Sequence, residues 1–384
     1  MKIGVVVTGN RENGGVYQYS QSLLEGLILD NTNEYVVFTN DDDVRFDRCG
    51  MLVRKLSCRS GIFWDLMRFF QVVFMLRKLV FLNKSEKIFF SDIDFLIYPS
   101  MSIRSHLIMN KPFIYTLHDL QEKYYPGFFS YSERLVRYFV NLNVSKMAAH
   151  IICESNYVKN DIKRFLGACD EKISVIPAPP CSEYLNIKLR DKRRDEVRNK
   201  YALPSNYIFY PAQFWKHKNH LKLLEAFKIL SVECEDVMLV LTGSKKAAYK
   251  EVMNCIEYLG LGGRVQVLGY VDSSDLPYVY EGANVLAMPT LFESISIPVY
   301  EAFAMRVPVV CSDVVALPEQ VNGAGLLFNP DDPNDIYMKI KAMLDSKSLR
   351  EGFVNKGFNI ITSFKIEKYR DELMATFKKG GASD

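Results

Sequence analysis

The segment "VLAMPTLFESISIPVYEAFAMRVPVVC", Val285–Cys311, has a strand–helix–strand pattern that recurs along the whole chain. Val285–Met288 and Val309–Cys311 are short apolar runs, which are typical of buried strands. Pro298 suits the first turn of a helix over Val299–Met305, because its missing N–H costs nothing there. Two strands separated by a helix predict parallel pairing, with the helix covering one face of the sheet.

The same alternation extends through the chain and predicts an α/β protein. Further predicted strands are Ile3–Val7, Tyr35–Phe38, Phe95–Tyr98, Phe113–Thr116, His150–Cys153, Tyr207–Tyr210, Met238–Thr242 and Val265–Leu268. Helical patterns lie near 16–29, 62–82, 132–148, 156–166, 219–232, 248–259 and 333–345, with a last helix in the tail. A chain of 384 residues is too long to fold around one hydrophobic core, so its length predicts two domains. We expect them at 1–180 and 205–364, with a proline-rich, charged linker at 181–204 and a C-terminal helix at 365–384.

Composition excludes several classes of protein. Hydrophobic residues make up 48% and charged residues 24%, as in globular rather than disordered chains. A net charge of +3 gives no general bias toward nucleic acid. The eight cysteines form no CxxC pair and no histidine cluster accompanies them, which favours a reducing cytoplasm over a disulfide or zinc framework. The start "MKIGVVVTGN" lacks the features of a signal peptide and reads as a first buried strand.

The segment "IFWDLMRFFQVVFMLRKLVFLNK", Ile62–Lys84, is the most apolar long stretch. Charged residues, among them Arg77 and Lys78, keep every run below the ~18 apolar residues of a membrane-spanning helix. Two interpretations stay open: a core helix with a charged edge, or a helix lying on an anionic membrane.

Two loops favour phosphate binding. The segment Gly9–Gly15 follows the first strand and leads into a helix, but it matches neither the P-loop nor the GxGxxG pattern. In the second half, "YPAQFWKHKNH" places Lys216, His217, Lys218 and His220 after a strand, where a lysine can neutralise a diphosphate. Each loop alone is also compatible with an ordinary turn or a solvated basic loop.

The carboxylates Glu293 and Glu301 flank the loop that enters the helix after Pro298. The first N–H groups of a helix have no partner within it, so Ser294–Ile297 can offer donors to an anion. One carboxylate could then hold a sugar hydroxyl and the other a ribose diol. A glutamate near a helix start is also favourable on electrostatic grounds alone, so Glu301 could simply stabilise the helix.

These motifs together resemble the retaining GT-B glycosyltransferases of family 4 (GT4, glycosyl transferases group 1). The resemblance covers nearly the whole chain and is strongest at 207–333. The family's E-x7-E motif matches Glu293 and Glu301, within "PTLFESISIPVYEAFAMRVPVVCSDVVALPEQVNGAGLLFNPDD". Its glycine loop matches Gly14 and Gly15, its cleft histidine His118, and its phosphate lysine Lys218.

The resemblance implies two Rossmann-like domains with a cleft between them, a C-terminal helix that returns to the first domain, and a role for each residue. Glu293 would orient the donor sugar and Glu301 would bind the ribose. The backbone amides of Ser296 and Ile297 would hold the diphosphate or sugar, and Lys218 would neutralise the diphosphate. Gly14 and Gly15 would let the diphosphate approach the first domain. Tyr270 and Val271 would form the base pocket, and His118 would contact the transferred sugar.

Three departures from the family pattern alter these expectations. Gln213 replaces an arginine five residues before the lysine, a lost charge for which Lys216 or His217 could compensate. A Gly-Phe-Gly type of loop reads Ser294-Ile295-Ser296, and a Cys-Gly-Thr type of turn reads Met305-Arg306-Val307. Side chains in the first loop could alter sugar choice, and the changed turn weakens any transfer of donor geometry.

The resemblance implies hexosyl transfer with retention, in which the leaving diphosphate helps to take the acceptor proton. No metal or other cofactor is expected, and Asp92-Ile93-Asp94 reads as polarity at a strand entry rather than a metal pair. GDP-mannose is the first choice of donor because "HDLQ" and "QFWKHKNH" look like mannosyltransferase segments; a UDP-hexose follows closely. The aromatic and basic "YYPGFFSYSERLVRYF" suggests a lipid-linked saccharide acceptor in surface polysaccharide (O-antigen) assembly, with the enzyme cytoplasmic or peripheral at the inner face of the cell membrane.

Three other classes stay open. A two-carboxylate glycoside hydrolase would leave the Lys218 cluster and the glycine loops without a purpose. A nucleotide-sugar epimerase is a nearer alternative. A non-catalytic nucleotide-sugar-binding protein is compatible with Gln213 and the serine loop.

Overall fold

The computed structural model describes residues 1–7, 14–39, 51–55, 62–74, 90–100, 111–180, 184, 187 and 189–381. The chain divides into two compact units. The first comprises Met1–Pro179 together with Lys365–Asp384, and the second comprises Pro180–Phe364. The chain therefore leaves the first unit once and returns to it for its last helix.

In the part of the chain that the structure describes, the first unit is built on a parallel sheet of seven strands. They are β1 (Lys2–Val6), β2 (Glu34–Thr39), β3 (Leu52–Lys55), β4 (Phe95–Tyr98), β5 (Phe113–Thr116), β6 (His150–Cys153) and β7 (Ile173–Val175). Their order is β3-β2-β1-β4-β5-β6-β7, so the direction of winding reverses between β1 and β4. In sheets of this kind, ligands bind beyond the carboxyl ends of the strands at that reversal.

The second unit repeats this plan with six parallel strands. They are β8 (Tyr207–Pro211), β9 (Met238–Thr242), β10 (Val265–Val267), β11 (Val285–Met288), β12 (Val309–Ser312) and β13 (Gly325–Phe328). The order β10-β9-β8-β11-β12-β13 places the reversal between β8 and β11. Segments that follow these two strands therefore emerge side by side.

Helices cover the faces of both sheets. Those of the first unit are α1 (Gly15–Ile28), α2 (Ile62–Val73), α3 (Tyr131–Met147) and α4 (Asn156–Asp161), the last continued by a π-helical turn at Ile162–Leu166. Those of the second unit are α5 (Asp191–Lys200), α6 (His220–Glu233), α7 (Tyr249–Tyr258), α8 (Leu276–Glu281), α9 (Ile297–Ala304), α10 (Leu317–Val321), α11 (Pro333–Asp345) and α12 (Lys347–Ser363). The last helix, α13 (Ile366–Lys379), belongs to the first unit. The predicted class, two parallel-sheet α/β domains with a C-terminal helix in the first, is confirmed.

The strands that the sequence did not predict are β3, β7 and β13, which all lie at sheet edges. β3 reads LVRK and none of its residues is buried, and β13 buries only Phe328. β3 (LVRK) and β7 (ISV) carry no continuous apolar run, which is the signal used for the interior strands, and β13 (GLLF) is apolar but short and mostly half-buried.

The structure differs from the sequence analysis at 181–204. These residues belong to the second unit, and α5 forms within the stretch that we predicted to be a linker. α5 is held by charge rather than by an apolar face: Arg194 pairs with Glu281 on α8, and Arg193 and Lys200 both pair with Asp275. A sequence pattern based on apolar periodicity misses such a helix.

The predicted helix over 62–82 is described only as α2, and its basic residues Arg77 and Lys78 lie outside the described residues. Across the residues that the structure describes, no helix is long and apolar enough to cross a membrane.

Candidate active site

Lys218 and Glu293 meet at the carboxyl ends of the two central strands of the second unit. Lys218 ends a short 3-10 turn that follows β8, and Glu293 lies in the loop after β11. The Lys218 ammonium donates to Glu293 Oε2, and both side chains are mostly buried. The two residues stand 75 positions apart in the chain. The sheet reversal brings them together, as the fold rule for ligand sites requires.

The Lys218 turn is tied to the β11 loop by backbone and side-chain hydrogen bonds. The carbonyl of His217 accepts from the Leu291 amide at 2.8 Å, and the carbonyl of Lys218 accepts from the Tyr210 hydroxyl at 2.7 Å. Asn219 takes a left-handed conformation and donates its side-chain amide to the carbonyls of Pro289 and Pro330. These contacts fix the lysine before any ligand arrives.

The loop that enters α9 is fastened by Gln320 on α10. Gln320 Oε1 accepts from the Ser296 amide at 2.8 Å, and its Nε2 donates to the Ser296 carbonyl at 2.7 Å. We predicted that the Ser296 amide holds the diphosphate or the sugar; in the structure, that amide donates to Gln320 Oε1. Ile297 begins α9, with Pro298 in its first turn, as the sequence predicts.

Glu301 lies one turn into α9 and is buried. Its Oε2 accepts from the Tyr280 hydroxyl at 2.6 Å. Burial and the charge of Glu301 raise the pKa of Tyr280, so this hydroxyl stays protonated and remains a donor. The contact fixes one side of the carboxylate group.

Gln213, Tyr270 and Val271 follow β8 and β10 along the same edge of the sheet. Gln213 Oε1 accepts from the Trp215 indole at 3.0 Å, Tyr270 is 58% exposed, and Val271 is buried. Gly243 joins these loops, because its amide donates to the Gly269 carbonyl at 2.8 Å. Its φ is 147°, and a Cβ there would lie 2.3 Å from the Ala212 carbonyl oxygen, so only glycine fits.

The surroundings of the histidines beside Lys218 favour the neutral imidazole. Burial, followed by the charge of Lys218, lowers the pKa of both His217 and His220 to about 3. This lowered pKa disfavours a charged His217 as the replacement for the charge lost at Gln213. Lys216 is exposed, and its compensation for the charge lost at Gln213 stays a prediction.

In the first unit, Gly14 and His118 follow β1 and β5. Gly14 caps α1 with a φ of 63°, and Gly15 is the first helical residue. The earlier residues of the predicted loop, 9–13, lie outside the described residues. His118 Nδ1 lies 2.8 Å from Glu154 Oε2, and its Nε2 lies 2.8 Å from the Pro99 carbonyl oxygen.

Asp92 and Asp94 both have partners within the protein. Asp92 pairs with Arg54 at 2.7 Å and with Lys2 at 3.0 Å, and Asp94 accepts from the Lys2 amide at 2.8 Å. Hydrogen bonds from Arg54, then from Lys2, outweigh burial and lower the pKa of Asp92. Within the described ranges, no group of His, Cys, Asp and Glu side chains is arranged to hold a metal ion.

The site in the second unit thus joins Lys218 and Glu293 directly, and the structure sets Glu301, Ile297, Gln213 and Tyr270 on elements at the same strand ends. Sequence reasoning missed Gln320, Asn219 and Glu154. Glu154 directly follows β6, and a polar residue at the carboxyl end of a strand was the available signal. Nothing in "LPEQV" marks Gln320, whose partner lies 24 residues away.

Two family models match the chain. The model of Glycosyltransferase Family 4 matches residues 13–179, and that of Glycosyl transferases group 1 matches residues 191–359. The first coincides with most of the first unit, and the second lies within the second unit.

Curated relatives match mainly over part of their length. The chain is 29% identical to O-antigen chain mannosyltransferase B of Escherichia coli over 230 residues, 59% of this chain and 60% of the relative. It is 29% identical over 177 residues to the N-acetylgalactosamine-N,N'-diacetylbacillosaminyl-diphospho-undecaprenol 4-alpha-N-acetylgalactosaminyltransferase of Campylobacter jejuni. That match covers 45% of this chain and 47% of the relative.

A solved structure shares the fold across the whole chain. Anabaena HepE, crystallised with UDP and glucose, superposes with a TM-score of 0.77 at 17% identity. The superposition covers 98% of this chain and 99% of HepE.

Proposed function

Because the chain belongs to the family 4 glycosyltransferases of the GT-B fold, we propose that it transfers a hexose from a nucleotide sugar to a saccharide acceptor. The observation that carries the proposal is the Lys218–Glu293 pair at the reversal of the second sheet. Lys218 supplies a cation for a diphosphate, and Glu293 supplies a carboxylate for sugar hydroxyls. The two side chains are in contact, and hydrogen bonds of Asn219 and His217 hold the Lys218 turn against the β11 loop.

Each residue of the site has a part in this proposal. Lys218 leaves Glu293 and neutralises the donor diphosphate, and Glu293 then accepts hydroxyl groups of the transferred sugar. Glu301 accepts the ribose hydroxyls with the carboxylate that Tyr280 fixes. The Ile297 amide supplies the helix N-terminal donor in place of Ser296, whose amide Gln320 occupies.

The base and the first unit complete the proposed donor site. Tyr270 offers an exposed ring beside Val271 for the nucleotide base. Gln213 donates its amide at the position where the family pattern has an arginine. Gly14 and Gly15, at the start of α1, leave room for a phosphate near backbone N–H groups. His118 contacts the transferred sugar.

The proposed reaction retains the anomeric configuration. The C1–O bond to the diphosphate breaks, the acceptor oxygen bonds C1 on the same face, and the acceptor proton passes to the leaving diphosphate. The protein positions both substrates and offsets the charge on the diphosphate, chiefly through Lys218. No step in this scheme requires a metal ion or an enzymic base.

GDP-mannose is the proposed donor and a lipid-linked saccharide the proposed acceptor. The O-antigen mannosyltransferase relative supports mannose, and the Campylobacter relative, whose name contains a diphospho-undecaprenol acceptor, supports the lipid. HepE was crystallised with UDP and glucose, so a UDP-hexose is the alternative that the experiment must separate.

Two neighbouring helices of the first unit support a membrane-facing position. Phe63, Leu66, Phe70 and Phe74 are exposed along α2 and just after it, at the spacing of one helix face. Tyr131, Leu135 and Tyr138 are exposed along α3, which contacts α2 through Phe69 and Phe139. Lys123 and Arg134 lie over the exposed tyrosine rings. We propose that this aromatic and basic surface rests on an anionic bilayer at the inner face of the cell membrane.

The test of function is a thermal-shift screen with GDP, UDP and ADP, followed by transfer assays. A ligand at 100 times its Kd stabilises the protein by about 2.7 kcal/mol, which a shift in Tm reports. We expect GDP to give the largest shift and GDP-mannose to mannosylate a lipid-linked acceptor with retention. A larger shift with UDP would move the assignment to a UDP-hexose.

Other outcomes would overturn the transferase assignment itself. Hydrolysis of a nitrophenyl glycoside without nucleotide indicates a hydrolase, and release of free nucleoside diphosphate with an epimerised sugar indicates an epimerase. Binding of nucleotide sugar with no turnover on any saccharide acceptor indicates a binding protein.

A further inference from the structure

His118 is held between the carboxyl group of Glu154 and the backbone carbonyl of Pro99. Its Nδ1 lies 2.8 Å from Glu154 Oε2, and its Nε2 lies 2.8 Å from the carbonyl oxygen of Pro99. A carbonyl oxygen has no proton to give, and an ionised carboxylate has none either. With Glu154 as a carboxylate, both ring nitrogens of His118 donate and the ring is an imidazolium.

The other groups around His118 leave Glu154 as the counterion of its ring. Tyr19 on α1 meets the His118 ring edge-on at 4.8 Å, and its hydroxyl bonds Thr116 at 2.9 Å. Burial, followed by the charge of Glu154, raises the pKa of Tyr19, so that hydroxyl stays neutral.

Two further titratable groups face the pair. Asp119, the next residue after His118, is paired with Arg137 of α3 at 2.7 Å. Tyr369 reaches the cluster from α13, and burial raises its pKa, so it carries no charge. The one uncompensated carboxylate facing His118 among these described neighbours is thus Glu154.

We propose that Glu154 is a positioning residue that keeps His118 doubly protonated and oriented throughout the working pH range. His118 then presents a fixed positive charge and cannot accept a proton from the acceptor. This inference rests on the proposed function, in which His118 contacts the transferred sugar. The leaving diphosphate is thereby left as the group that takes the acceptor proton.

The direction of the His118 pKa shift agrees with this geometry. Burial works against protonation of His118, but the hydrogen bond and charge of Glu154 outweigh it and raise the pKa of the ring. The Glu154 side chain is only 5% exposed, so water screens this interaction weakly.

The experiment replaces the charge and keeps the shape. Glu154→Gln retains an oxygen that can accept from Nδ1–H but loses the negative charge. Nitrogen-detected NMR of the imidazole, assigned with His118→Gln, should show wild-type His118 doubly protonated at pH 7.5. In Glu154→Gln its pKa should fall by about one unit or more.

Kinetics supply the second readout. In Glu154→Gln we expect kcat to fall about tenfold at pH 8 and to recover toward pH 6, as His118 regains its proton, with KM for the nucleotide sugar little changed. Ser174→Ala is the matched control, because it removes the partner of another buried histidine, His150, on the neighbouring strand pair. That variant should leave the pH profile of kcat unchanged.

The outcomes separate this proposal from the proposed function. A neutral His118 at pH 7.5 in the wild type, or a pH profile that Glu154→Gln does not alter, overturns the positioning role. Absence of any transfer by the wild type overturns the proposed function alone, because the NMR titration still decides the state of the pair.

Discussion

At the scale of single residues, the contact between Lys218 and Glu293 changes what each residue can be expected to do. The two charges neutralise each other, and both side chains are mostly buried. A donor that binds Lys218 through its diphosphate must compete with Glu293. Part of the binding free energy is therefore spent on breaking this pair, which releases Glu293 to bind the sugar.

Two substitutions should separate these roles. Lys218→Ala should weaken nucleoside-diphosphate binding by about 10- to 100-fold, because a hydrogen bond to a charged group contributes about 1.5–3 kcal/mol. Glu293→Gln should keep or increase that affinity, since it frees Lys218, while kcat falls on the order of 100-fold. Isothermal titration calorimetry with GDP and UDP measures the first effect and steady-state kinetics the second.

Lys228→Ala is the matched control, because Lys228 is an exposed lysine on α6, the helix that follows the Lys218 turn, and has no part in the proposed site. It should change the affinity by no more than about twofold, as exposed charges contribute little. Weaker diphosphate binding in Glu293→Gln would contradict the competition and would show that Glu293 instead holds Lys218 in place.

Residue patterns predicted the local elements around Glu293 and Glu301 better than the hydrogen bonds between those elements. The E-x7-E spacing and the Pro298 helix start were readable because both depend on neighbours in sequence. The occupation of the Ser296 amide was not readable, because its partner Gln320 lies on another helix. The lowered pKa of His217 depends on burial, which the letters "WKHKNH" do not reveal.

At the scale of elements, exposed apolar stripes on α2 and α3 need an explanation, because large aromatic side chains are usually buried in a core. The spacing of Phe63, Leu66, Phe70 and Phe74 is that of an amphipathic helix, but this face meets solvent. Basic Lys123 and Arg134 beside the α3 stripe match an anionic lipid surface.

Substitution of Phe63 and Phe74 by serine should reduce membrane binding. Each side chain is 63% exposed, so little packing is lost, while full burial of a phenylalanine contributes about 1.5–3 kcal/mol. The double variant should therefore sediment with vesicles of mixed anionic and neutral lipid at least about tenfold less well than the wild type. Its thermal stability should be unchanged.

Tyr258→Ser provides the control on the second unit, where the ring is 89% exposed. It should sediment like the wild type. If the Phe63/Phe74 variant and the wild type sediment equally, or if the wild type does not sediment with vesicles, the proposal that α2 and α3 bind a membrane is wrong.

Element prediction succeeded where a segment's own apolar pattern decides its structure. Interior strands such as β4 and β11 are buried along their whole length and were readable from continuous apolar runs. α5 was missed because Arg194, Glu281 and Asp275 hold it through ion pairs, and these pairs exist only after α8 has formed.

At the scale of the whole molecule, the chain completes its first unit with its last helix. α13 contributes Tyr369, Leu373 and Phe377 to the apolar cluster that contains Ile3 and Leu23. The Tyr369 ring lies over Gly26 of α1, where a Cβ would come within 2.9 Å of it. The first unit therefore cannot finish its core until the second unit and α13 have been made, which the resemblance to family 4 predicted only as a returning helix.

Leu373→Ala should consequently destabilise the first unit although it lies close to the end of the sequence. Leu373 is fully buried, so its truncation should cost about 2–5 kcal/mol. Of the two tryptophans, Trp64 belongs to the first unit and Trp215 to the second, so Trp215→Phe and Trp64→Phe backgrounds report one unit each by fluorescence. The transition seen by Trp64 should move down by roughly 4–20 °C, and that seen by Trp215 should stay. Leu224→Ala, fully buried in the second unit, should give the reverse pattern, and a Leu373→Ala effect confined to Trp215 would refute the assignment of α13 to the first core.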